Sequence, residues 1–193
     1  MRKCIGVICV LLGFACLLGA VGFAVYNRWE AEKAAEISDS LLRAAQREIE
    51  DENILQAPAQ TEMPTVSVEG EACIGILSVP VLNLELPVLS DWSYAKLKKA
   101  PCRYYGSYHQ KDFVIAAHNY RNHFGKLSKL QAGDVVVFTD VNGTARYYKV
   151  ELLETLPPTA TEAMITGGFD LTLYTCTNGG GNRVTVRCNA VQN

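Results

Sequence analysis

The stretch 170–188, DLTLYTCTNGGGNRVTVRC, constrains the fold of this chain more than any other. Leu171, Leu173 and Thr175 alternate with Thr172, Tyr174 and Cys176, and after a glycine-rich turn Val184 and Val186 alternate with Arg183, Thr185 and Arg187. A period of two on both sides of a turn is the pattern of a β-hairpin. With residues 177–182 as the loop, paired positions sum to a constant, so 176 faces 183, 175 faces 184 and 173 faces 186. Directly opposed residues share a face. Leu173, Thr175, Val184 and Val186 then cover a core, while Cys176 and Arg183 stand side by side on the other face, at the mouth of the loop. A fixed positive charge favours the thiolate and offers donors to a developing oxyanion. Arg187 leaves the same face as Arg183, but it pairs opposite Thr172, about 13 Å farther along the strand.

A thiol and a guanidinium need a proton donor to do acyl-transfer chemistry, and His118 can supply one. It ends the strand-like run DFVIAA (112–117) and is followed at once by Asn119 and a polar turn. His109 and His123 are its rivals, but both lie in polar, loop-like stretches where a histidine is expected to be solvated. Of the seven cysteines, Cys4, Cys9 and Cys16 sit in an apolar segment and act there as small hydrophobes. Cys73, Cys102, Cys176 and Cys188 remain. Cys188 falls near residue 171 in the hairpin register, on the core face and about 17 Å from Cys176, too far for a bridge. A bond between Cys73 and Cys102 stays open. No Cys-x-x-Cys or His-x-x-x-His spacing occurs, so no metal is expected, and no cofactor.

The segment LTLYTCT with Cys176, the arginine opening RVTVR, and the upstream AAHN followed by FGKL closely resemble the sortases, the cysteine transpeptidases of Gram-positive surfaces. The resemblance covers roughly residues 70–190. It implies an all-β fold, a closed eight-stranded barrel with one or two short helices, in which His118, Cys176 and Arg183 meet at one end of a groove. It also implies the partners: a surface protein bearing a Leu-Pro-x-Thr-Gly-like sorting signal, and an amine of a peptidoglycan precursor or of a pilin subunit. HNYRNHFGKL is similar to class B, yet the connection 154–169 is shorter than the helical insert class B carries there, and class D stays open. Pilin-polymerising members carry a C-terminal membrane segment and an N-terminal lid, and neither is seen. The stretch LPPTA at 156–160 looks like a sorting signal itself; since the hairpin follows it, it reads as a loop coincidence.

The chain's 193 residues suit one compact domain with accessories, and a net charge of −2 argues against nucleic acid as a partner. Residues 4–26 carry no charge and span about 33 Å as a helix, one hydrocarbon thickness. Arg2 and Lys3 precede this run, whereas acids follow Arg28, so the positive-inside tendency places residues 1–3 in the cytoplasm and the rest of the chain outside. An uncleaved single-pass anchor in the cell membrane is the resulting expectation. Residues 27–53 form a charged, alanine-rich helical stalk, read as a solvated spacer in preference to a helix packed on the barrel or on a second copy, and 54–69 an extended linker. The domain 70–193 follows, with strands at 72–79, 82–88 and 112–117, a short helix at 93–99, and a second hairpin, 135–141 to 144–153, turning on Asn142-Gly143. The segment 154–169 reads as irregular. Two other readings fit the same residues: a membrane-anchored cysteine hydrolase that lets water resolve the thioester, and a non-catalytic surface-binding β-domain with a structural cysteine.

Overall fold

The computed structural model describes residues 2–52 and 63–191, with side chains at 11–49 and 63–191. They fall into two compact units, Met1–Lys33 and Ala34–Asn193, and one helix, α1 (Arg2–Glu52), contributes to both. In the first unit Leu11, Phe14, Leu18, Val21 and Phe23 are each more than half exposed. A helix that is apolar on every side has no face suited to water. By length and composition this part of α1 is a candidate membrane span, where the anchor was expected.

The second unit is built on nine strands: β1 (Val66–Val68), β2 (Glu71–Val79), β3 (Leu84–Leu89), β4 (Cys102–Tyr105), β5 (Phe113–Ala116), β6 (Val135–Asp140), β7 (Ala145–Leu156), β8 (Leu171–Cys176) and β9 (Arg183–Ala190). Neighbours run β2, β3, β4, β5, β8, β9, β7, β6, and β6 returns to β2. Those eight strands therefore close into a barrel, which leaves no open edge along the ring. The short β1 pairs with the part of β2 that β6 does not reach. Inside, the inward positions of the strands meet: Phe113, Phe138, Leu77, Leu171, Leu173 and Val186 are fully buried. The β8–β9 register has Cys176 opposite Arg183, Thr175 opposite Val184 and Leu173 opposite Val186, as the alternation requires.

A second apolar cluster lies outside the barrel, and it changes the reading of the stalk. Leu41, Ala45 and Ile49 of α1 pack on Val66, Val68, Cys73, Leu89, Cys102 and Val141. With Ala34 and Ser38, also buried, they form one stripe at helical spacing. Residues 34–49 are thus not a solvated spacer. The cause lies in the sheet: Cys73 pairs with Leu89 and Leu89 with Cys102, so all three present one apolar row that needs a cover. The same row keeps the two thiols apart. With β3 between them they sit two strand spacings apart, about 10 Å, beyond disulfide reach, and both are free. Burial pushes the Cys73 thiol up and that of Cys102 to about 12.

Other departures from expectation are local. The expected linker contains β1, while its residues 54–62, with the stalk's residue 53, lie outside the described residues. The four residues of β4, hemmed between Pro101 and Gly106, are too short to show a period. β3 starts at Leu84 because Pro80–Leu82 makes a tight helical turn that ends on a left-handed Asn83. The short helix α2 (Tyr94–Leu97) begins where expected, Ser93 accepting from the Lys96 backbone N–H at 3.1 Å. The segment expected to be irregular extends β7 to Leu156 and contains a helix, α3 (Thr161–Ile165).

If α1 is part of the domain's packing, Leu41→Ala should lower stability by roughly 2 to 5 kcal/mol, the usual cost of such a buried truncation. Ile37→Ala, at an exposed position of the same helix, should change it by under about 0.5 kcal/mol. Thermal melts of the two full-length variants decide this; equal midpoints would return the stalk to a spacer.

Candidate active site

The hairpin loop holds the register that brings the site together. Thr177 N–H donates to the Asn182 carbonyl at 2.9 Å, Asn182 N–H returns to Thr177 Oγ1 at 3.1 Å, and Gly180 N–H donates to the Thr177 carbonyl at 2.8 Å. Gly179 and Gly180 take φ of 85° and 75°, a region L side chains rarely adopt. The turn therefore needs glycine at both, and it delivers Cys176 and Arg183 as direct partners at the strand ends. Arg183 Nη1 donates to the Gly180 and Asn182 carbonyls, each at 3.1 Å, which folds the guanidinium over the loop mouth.

His118 reaches the same rim along a different strand. β5 runs parallel to β8 with Ala116 level with Tyr174, so the chain brings His118 level with Cys176 on the same, outer face. Cross-links between the strand ends keep it there: Ala117 N–H donates to the Tyr174 carbonyl at 3.2 Å, Thr175 Oγ1 to the Ala117 carbonyl at 2.8 Å and Asn119 Nδ2 to the Thr177 carbonyl at 3.5 Å. After His118 the backbone doubles back, Phe124 N–H donating to the His118 carbonyl at 3.1 Å. Gly125 permits that turn, since a Cβ there would lie 2.5 Å from the Asn119 carbonyl oxygen. Among the described residues no group of three or more His, Cys, Asp and Glu is placed to hold a metal ion.

Cys176, Arg183 and His118 line one cavity of about 240 Å³. On the β4 side its wall is aromatic: Tyr174 meets Tyr104 edge-on at 5.3 Å, Tyr104 lies 5.5 Å from Trp92, and Trp92 meets Tyr94 at 5.7 Å. Burial raises the Tyr174 hydroxyl pKa, so that group stays uncharged. On the β7 side the wall is Pro157, Pro158, Ala160 and Met164. The LPPTA stretch, set aside as a loop coincidence, is thus a turn closed by Ala160 N–H on the Pro157 carbonyl at 3.1 Å, and it lines the groove. Neither wall was legible beforehand: the aromatic one is assembled from segments far apart in sequence, and nothing within 157–164 encodes its meeting with them. A larger cavity of about 560 Å³ lies at the other end of the barrel, by Tyr108, Lys111, Arg146 and Asp170. Its charges are already engaged, Arg146 with Asp140, Lys111 with the Gly168 carbonyl and Asp170 with Ala190 N–H. Of the two, the smaller is the one that brings a thiol, a guanidinium and an imidazole together.

The rival groups are placed elsewhere. Arg187 is 2% exposed and its donors are consumed: Nε by Glu154 at 2.8 Å, Nη1 by Thr172 Oγ1 at 3.0 Å and the Met164 carbonyl at 3.1 Å, Nη2 by the Ala163 carbonyl at 2.6 Å. It ties α3 to β7 and β8. His109 is exposed, as expected of a loop histidine, but His123 is fully buried rather than solvated. Burial first, then the neighbouring His118, lowers its pKa to about 4. Cys188 faces the core and burial pushes its thiol to about 12.

A closed barrel with a half-exposed thiol, a guanidinium and an imidazole at one rim is the architecture of a cysteine acyl-transfer enzyme. The family model for the sortase domain matches residues 77–191, and the chain belongs to the sortases, which makes it a cysteine transpeptidase. Solved structures agree. It is similar to sortase C1 of Streptococcus agalactiae (26% identity, TM-score 0.56, 76% of this chain and 77% of that one). It is also similar to a sortase D5 transpeptidase of Clostridium perfringens (19%, 0.64, 81% and 99%) and to sortase C of Streptococcus pneumoniae (23%, 0.56, 86% and 96%). No curated protein sequence matches it significantly.

The two arginines should separate by stability. Arg187→Ala leaves the Glu154 carboxylate and two carbonyls without their donor and should cost about 3 kcal/mol or more. Arg183→Ala should cost under about 1 kcal/mol. Chemical denaturation reads both, and an Arg187→Ala protein as stable as Arg183→Ala would show that the clamp does not hold α3.

Proposed function

We propose that this sortase is a membrane-anchored enzyme that cleaves a Leu-Pro-x-Thr-Gly-like sorting signal through a thioester on Cys176 and passes the surface protein to an amine. The observation that carries the reading is the convergence of Cys176, Arg183 and His118 on one cavity between an aromatic wall and a proline-rich one. A peptide lying extended in that groove presents its threonine carbonyl to Cys176 Sγ. Attack forms the S–C bond and moves the carbonyl electrons onto oxygen, where Arg183 donates to the oxyanion. Collapse breaks the C–N bond, and His118 gives the departing amine its proton. The thioester then meets an incoming amine, of a peptidoglycan precursor or a pilin lysine. His118 takes the proton from that amine, and the thiolate leaves as the new amide forms. The apolar part of α1 serves as a single-pass anchor with residues 70–193 outside the cell, which keeps the enzyme beside tethered substrates and raises their effective concentration.

Cys176→Ala should abolish the acyl-enzyme trapped by mass measurement with a sorting peptide. His118→Ala should keep the fold and lose at least about 10²-fold in turnover. With excess amine the wild-type product should be mainly the new amide; mainly free acid would make the protein a hydrolase, and near-normal turnover in His118→Ala would remove the proposed acid.

Topology has its own test. Protease added to intact protoplasts should digest the barrel. Protection until lysis would overturn the outward orientation and the extracellular reaction with it.

A further inference from the structure

His123, in the loop that follows His118, is fully buried, and neither of its ring nitrogens has a hydrogen-bond partner. On α1, Ser38 buries its hydroxyl in the same unpartnered state. One turn before it, the Ala34 backbone lies near enough to the imidazole to favour its charged form, without a hydrogen bond of normal geometry. Buried polar atoms without partners are rare, because each loses its hydration for nothing. With no hydrogen bond to hold it, the ring is placed by packing alone, and its role lies in what its faces touch. Its neighbours are informative. The His123 ring lies 5.5 Å from that of Tyr120, and Tyr120 is stacked on His118 at 4.8 Å and 29°. Of the titratable groups, His118 is the one that acts on His123.

We propose that His123 is a positioning residue for His118: lodged against α1, it holds Tyr120 on the His118 ring, so the seating of α1 on the barrel sets the pose of the imidazole beside Cys176. The contact is by ring shape, and the imidazole's own nitrogens are not required. The inference rests on His118 being the proton donor of the proposed reaction. It also makes α1, the helix that carries the candidate span, part of the support of the site.

The test uses the full chain in nanodiscs, with His123→Ala, His123→Phe, Tyr120→Leu and the double variant His123→Ala/Tyr120→Leu. Two quantities are read: kcat and KM for acylation of Cys176 by a sorting peptide, and the NMR shift of the His118 ring protons, which the stacked Tyr120 ring displaces upfield. His123→Ala and Tyr120→Leu should each lower kcat roughly 10- to 100-fold with KM unchanged, as misplacement of a reacting group does, and each should move the His118 protons downfield. The double variant should be no slower than either single one, since both break the same contact. His123→Phe should restore most of the rate and the shift. The proposal is overturned by a folded His123→Ala protein with wild-type rate and unmoved protons, by multiplicative effects in the double variant, or by His123→Phe being as slow as His123→Ala. Should His123→Ala fail to fold, Tyr120→Leu at its half-buried position carries the same comparison. A wild-type protein that acylates no peptide sinks the transpeptidase reading, while the ring shifts still decide this one.

Discussion

Alternation along paired strands is the constraint on which this structure depends. In the β8–β9 ladder every side chain faces either the packed interior or the outer face, and a slip of one residue would exchange the two sets. Leu173 and Val186 are fully buried in the barrel, so a slip would take both out of its interior. The same event would separate Cys176 from Arg183. Burial on one face of the hairpin thus fixes the Cys176–Arg183 pair on the other, and the glycine turn with its internal hydrogen bonds removes the remaining freedom.

Closure of the barrel decides where the chemistry can be. The interior is filled by Phe113, Phe138 and their neighbours, so the cavity lined by His118, Cys176 and Arg183 lies on the outside of β5, β8 and β9. An outer face needs walls. One comes from the aromatic chain of Trp92, Tyr104 and Tyr174, and the other from the connection between β7 and β8. That connection is secured by Arg187, whose hydrogen bonds to Ala163 and Met164 pin α3. Two arginines on one face of one strand therefore serve different ends: Arg187 is consumed in holding the wall, and Arg183 stands at the mouth of the groove.

Burial also sorts the thiols. Cys73, Cys102 and Cys188 are enclosed, and burial raises each of them away from the reactive thiolate. Cys176 alone among the described barrel cysteines lines the cavity. Two of the three inert thiols lie under α1, in the row that Leu41, Ala45 and Ile49 cover. A helix that carries an apolar candidate span at one end is thus, from Ala34 on, a component of the barrel's packing.

Much of this was legible in the residues because it depends on local period. Alternation about a glycine loop yields the hairpin, its register and the Cys176–Arg183 pair; an uncharged run of helical length yields the candidate span. The placement of His118 at the end of a strand was readable too, but its level with Cys176 was not, since parallel pairing of β5 with β8 is a matter of topology. Tertiary structure alone decided the rest. A stripe of Leu41, Ala45 and Ile49 in a charged segment reads as a spacer's face until the row of Cys73, Leu89 and Cys102 is seen to lie under it. His123, in a polar stretch, is a fully buried ring, which nothing in its own segment encodes. The walls of the groove assemble from segments far apart in the chain, and no spacing within a single segment encodes a contact between two of them.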